Sequence, residues 1–153
     1  MTPFVRLGAS MVAVAVLAGC GLLPGGGGGD QVSAFDLEPG VCFDDVEGDS
    51  VESLPRVPCE QTHNNEVFAV VDYPAGGDEA YPGDSAMQSY AEEECKGSRF
   101  EDYVGIDYAS SIYEVFPITP SEESWSSGDR EIICSLYDPR DNEMEGSVRG
   151  TAE

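Results

Sequence analysis

Five cysteines, one histidine and one tryptophan are the rarest chemically able side chains of this sequence, and their spacing limits what it can do. Cys20 stands apart. It follows Leu17-Ala18-Gly19 at the end of an apolar run that begins at Met11, with Arg6 the one basic side chain ahead of it. Small residues at 18 and 19 fit a peptidase cleft, and the Cys20 thiol is a nucleophile able to form a thioether with lipid. Cys42, Cys59, Cys95 and Cys134 remain. An even number in an exported domain points to two disulfides, with three pairings open. Wide, uneven spacing without any Cys-x-x-Cys pair argues against a four-cysteine metal site.

His63 lies in Cys59-Glu60-Gln61-Thr62-His63-Asn64-Asn65-Glu66. His-x-x-Glu places two metal ligands together on a helix, but here it runs into a strand, and one histidine cannot complete the usual zinc triad. As a general base His63 would need a nucleophile, and the chain has no Gly-x-Ser-x-Gly elbow. A structural imidazole, hydrogen-bonded near the Cys59 loop, is the simpler reading. The acidic stretch 43–50 does not follow the calcium-loop register with its distal Glu. Glu92-Glu93-Glu94 spans most of a helical turn and cannot converge on one ion. Thirty Asp and Glu make a coincident carboxylate pair easy, yet nothing singles one out for glycoside cleavage. Trp125, within Ser124-Trp125-Ser126-Ser127-Gly128-Asp129-Arg130, is either a turn-packing aromatic or a partner contact. No enzymatic activity, metal or cofactor is expected.

The segments that carry these residues differ sharply in composition. The apolar run of about a dozen residues is an export-signal core and too short to span a bilayer. Leu17-Ala18-Gly19-Cys20 resembles the bacterial lipobox, which implies a signal peptide over residues 1–19 and a lipid-bearing Cys20. The other reading is an ordinary signal peptide with an incidental cysteine. Residues 20–34, with glycine unbroken from 25 to 29, read as a flexible linker. The remaining 35–153 suffices for one small domain with one core. Removal of residues 1–19 leaves 6 Lys+Arg against 30 Asp+Glu, a formal charge of −24. Such a surface repels phosphate backbones and anionic lipid, so no nucleic acid is expected among the partners.

Within the domain, Val41-Cys42-Phe43 reads as a short strand and 44–55 as an acidic surface loop. Glu66 to Tyr73, β-branched and aromatic, is the clearest strand. Residues 85–98 read as a helix, with Ser85 and Gln88 as a capping box and Gly97 as its stop. Met87, Ala91 and Cys95 recur every four residues and share one face. Two further strands are expected, over 111–116, closed by Pro117, and over 131–137. In the last, Ile132, Cys134 and Leu136 alternate onto the inner face. Cys95 on the helix then meets Cys134 on the strand, which leaves Cys42 for Cys59. The expected fold is α+β, one main helix packed on an antiparallel sheet and held by two disulfides.

The ordered set Gly40-x-Cys42-Phe43, Val57-Pro58-Cys59, His63-x-x-Glu66-Val67-Phe68 and Tyr81-Pro82-Gly83 resembles the septum formation domain of actinobacterial envelope proteins. So do Cys95, Phe100-x-x-Tyr103-Val104-Gly105, Trp125-x-x-Gly128-Asp129-Arg130-x-x-x-Cys134 and Gly146-Ser147-Val148-Arg149-Gly150, and the resemblance covers roughly residues 36–150. It implies an extracytoplasmic, often membrane-tethered domain with a regulatory link to septum formation and no catalytic residues to carry over. The expectation is a non-enzymatic lipoprotein at the extracytoplasmic face of the cell membrane, held there by lipid on Cys20. It would contact envelope or division proteins through a surface at His63, Glu66, Trp125, Asp129 and Arg130. The rival expectation is a solute- or divalent-cation-binding lipoprotein.

Overall fold

The computed structural model describes residues 30–46 and 52–153. Cys20, the 1–19 signal segment and the glycine run lie outside the described residues, as does the acidic stretch 47–51. Six strands form one antiparallel sheet: β1 (Gln31–Ser33), β2 (Cys42–Phe43), β3 (Ser53–Val57), β4 (Asn65–Asp72), β5 (Glu114–Ile118) and β6 (Glu131–Tyr137). Their order across the sheet is β1-β3-β2-β4-β6-β5. Helices α1 (Asp84–Cys95), α2 (Ser98–Val104) and α3 (Glu122–Ser126) complete the domain. Among the described residues no helix is long and apolar enough to cross a membrane.

The pairing of β4 with β6 is the centre of the fold. Glu66, Ala69 and Val71 stand opposite Leu136, Cys134 and Ile132, and the register shifts between Val67 and Ala69. Phe68 is the extra residue of that bulge, so both Phe68 and Ala69 join the core under the helices. There Phe68 meets Phe100 edge-to-face at 5.6 Å, with Met87, Ala91, Cys95, Ile132, Cys134 and Leu136 packed around them. Each large apolar side chain so buried contributes about 2 kcal/mol. Both faces of the sheet are covered. Val67 and Ile133 point away from the helices into a second cluster with Leu37, Val41, Phe43 and Leu54. The two disulfides are Cys42–Cys59 and Cys95–Cys134, with Cα separations of 5.3 and 5.4 Å. The expected α+β class, the helix face 87/91/95, strand 131–137 and both cysteine pairs are as the residues implied.

Several boundaries differ. The sheet begins at Gln31, inside the stretch read as linker. β3 occupies the end of the expected 44–55 loop, disguised by Pro55 in its middle. β5 starts later than 111 and continues through Pro117, which an edge strand tolerates because one side of it has no neighbouring strand to miss the N–H that proline lacks. α1 starts at Asp84, and its cap is Gly83 at φ +90° rather than a Ser85–Gln88 box. The Asp84 carboxylate in the first turn complements the helix dipole there. After Gly97 the chain does not leave the helical layer but turns into α2, whose Phe100, Tyr103 and Val104 are all buried.

Candidate functional site

Glu66 is a carboxylate at the head of an otherwise apolar buried strand, and it is fully buried itself. Such a group is stable only if donors replace its water. Three do. Tyr103 Oη of α2 donates to Oε1 at 2.6 Å, Ser147 Oγ donates to the same oxygen at 2.5 Å, and the Val148 N–H donates to Oε2 at 2.8 Å. Burial, and then the bond to Glu66, raise the Tyr103 phenol above its ordinary pKa, so it stays a donor. The Arg149 guanidinium lies over the Tyr103 ring at 4.5 Å. Gly40, at φ +96°, brings the backbone so close that a Cβ there would stand 3.7 Å from Arg149 and 3.9 Å from Tyr103 Oη.

His63 closes the other side of this junction. It pairs with Met144 through reciprocal backbone hydrogen bonds, and Gly146 N donates to Cys59 O at 2.6 Å. The His63 Nδ1 lies 2.8 Å from Gln61 O. A carbonyl only accepts, so Nδ1 carries the proton and Nε2 is left as the acceptor, buried and without a partner among the described residues. Cys42, His63 and Glu66 each place one ligand-type atom within 4.8 Å of the others. The Cys42 sulfur, however, is committed to Cys59, and both Glu66 oxygens already accept hydrogen bonds. As arranged, the cluster ties the 143–150 segment to β4, α2 and the disulfide loop.

Trp125 and Arg130 form a second, separate cluster beyond the far end of β4, about 20 Å away by strand rise alone. The indole is 4 % exposed. It donates to Glu79 O at 2.8 Å and meets Tyr73 and Tyr81 edge-to-face at 5.5 and 5.7 Å. Arg130 stacks on the indole ring, its guanidinium carbon 3.6 Å from the ring centroid. The same guanidinium donates to the carbonyls of Trp125, Asp129 and Gly77. Asp129 Oδ1 accepts from Glu131 N at 3.0 Å. Together these bonds fasten the loop after β4 to the turn between α3 and β6.

The five residues expected on one contact surface are therefore split between two internal junctions. His63, Glu66 and Trp125 are buried, while Asp129 and Arg130 reach solvent in part. Sequence reasoning did not assign Tyr103, Ser147 and Val148 to Glu66. The signal was present, since an acid leading an apolar strand must have donors from elsewhere in the chain.

Both junctions are built from the motifs that Gly40, Cys42, His63, Tyr103 and Trp125 anchor. No curated protein and no solved structure matches the chain. The family model described as septum formation matches residues 39–153, which span both junctions and both disulfides. The chain belongs to the septum formation family.

Proposed function

We propose that this protein is a non-enzymatic, lipid-tethered module of the cell envelope that acts in septum formation by contacting another protein. The observation that carries this reading is the family match over residues 39–153. Two features support it. The polar side chains of the motifs are spent on holding the domain together, as Glu66 with three donors and Arg130 with three carbonyls illustrate. The apolar run ending in Cys20, followed by five glycines, supplies an anchor and a leash. One acyl chain holds a protein only marginally, so an anchor of more than one chain on Cys20 is implied.

Time-lapse imaging of an export-compatible fluorescent fusion, with Cys20→Ala beside it, tests both parts. Enrichment at division sites that is lost in Cys20→Ala is the expected result. An even distribution around the envelope would overturn the septal role and favour solute binding. Unchanged membrane retention of Cys20→Ala would overturn the anchor.

A further inference from the structure

The face of the sheet turned away from α1 carries a groove of about 620 Å³ beside the edge strand β5. Its apolar floor is Ile118 and Ile133, which stand opposite each other in the β5–β6 register. Two phenylalanines border it and are far from buried: Phe35 is 61 % and Phe116 is 52 % exposed. Large aromatic side chains left in water next to a hollow mark a binding surface more often than an isolated exposed residue does. Among the described residues, the charged side chains that line the groove are all acids, namely Glu52, Glu123, Asp129 and Glu131. The nearby Arg130 is turned onto Trp125 and three carbonyls and does not neutralise them.

We propose that this groove binds a basic, apolar peptide segment of a protein partner, its apolar side chains set between Phe35 and Phe116 and its Lys or Arg paired with the acidic rim. This deepens the reading of the protein as a contact module and rests on it. Charge decides between the occupants. A second copy of this chain would bring two acid rims together on molecules of net charge −23. The chain's own segment 20–30 contains no Lys or Arg, and neither does 44–51. Anionic lipid is repelled for the same reason. The Glu131 carboxyl is already held above its ordinary pKa by partial burial and by the nearby Asp72 and Asp129, a crowding that a cation relieves. Pairing by strand addition is the weaker mode, because Pro117 interrupts the donors along β5.

Fluorescence anisotropy of the purified full-length protein tests the groove with a labelled eight-residue probe in which Lys and Leu alternate. Two control probes replace Leu by Ser or Lys by Glu. The expected result is binding of the Lys/Leu probe alone, weakened by salt. Phe116→Ser and Phe35→Ser should each weaken it about tenfold or more, as loss of a central aromatic anchor does. Both side chains are exposed, so both variants keep the parent melting temperature. Equal binding of the Lys/Ser probe, or unchanged affinity in both folded Phe variants, would overturn the proposal, as would capture by phosphatidylglycerol vesicles in preference to the probe. Probe binding does not depend on where the protein sits in the cell. Loss of the groove with septal enrichment intact overturns only the groove; the reverse overturns only the septal role.

Discussion

At the scale of the residue, Glu66 decides more than any other polar side chain. Its three donors come from α2 and from two consecutive residues of the segment after β6. Removing the acceptor leaves two buried donors, the Tyr103 hydroxyl and the Val148 N–H, unmatched, whereas removing one donor leaves the carboxylate with two. An unmatched buried polar group costs about 1–3 kcal/mol, and a single lost hydrogen bond about 1 kcal/mol. Glu66→Ala is therefore expected to destabilise by about 3 kcal/mol or more, and Tyr103→Phe by about 1–2 kcal/mol. Urea unfolding measures both, and limited proteolysis reports whether cleavage in 143–153 rises in Glu66→Ala. Equal losses in the two variants would mean that the carboxylate is not the hub. Trp125 makes the same point in another way. A lone tryptophan beside Asp129-Arg130 looks like a contact residue in the sequence, yet its indole is enclosed by two tyrosines and one guanidinium.

At the scale of the element, legibility followed regular spacing. The four-residue recurrence of Met87, Ala91 and Cys95 and the two-residue alternation of Ile132, Cys134 and Leu136 each identify a face, and the two faces meet in a disulfide. Elements without such periodicity were hidden. Pro55 and Pro117 break the visible pattern of β3 and β5 without breaking the strands, and β1 has only three residues beside a glycine-rich stretch. α2 and α3, of seven and five residues, are too short to show a helical stripe. The junction at Glu66 was out of reach for a different reason, since its members lie 37 and 81 residues apart in the chain. The Cys95–Cys134 bond, with a separation of 39 residues, ties the end of α1 to the middle of the sheet. Loop-closure entropy gives it about 4 kcal/mol, against about 3 kcal/mol for Cys42–Cys59, whose separation is 17. Paired Cys→Ala variants compared by urea unfolding under non-reducing conditions should show the larger loss for Cys95/Cys134. The reverse order would show that native-state strain, not chain entropy, sets the difference.

For the whole molecule the governing fact is a shortage of cations, 7 Lys+Arg against 30 Asp+Glu. Few carboxylates can be matched by ion pairs, and phenols take that place. Four of the seven tyrosines donate to a carboxylate: Tyr81 to Asp84, Tyr103 to Glu66, Tyr108 to Glu114 and Tyr113 to Glu153. A phenol is a donor only while protonated. Burial first, and the acceptor carboxylate second, push Tyr81 and Tyr108 up to about 12, and raise Tyr103 as well. The unfolded chain loses these protons near pH 10 while the folded chain keeps them, so the folded state binds more protons between the two values. Stability is accordingly complete below pH 10 and falls as pH rises toward 12. Urea midpoints at pH 8, 10 and 11 should decline across that window, and the decline should be shallower in Tyr81→Phe and Tyr108→Phe, which have no proton to lose. Ultraviolet titration of phenolate should show a late group of tyrosines ionising together with unfolding. If the midpoints stay level from pH 8 to 11, the phenol–carboxylate pairs contribute nothing to the fold, and its tolerance of so much negative charge must come from the apolar core and the disulfides alone.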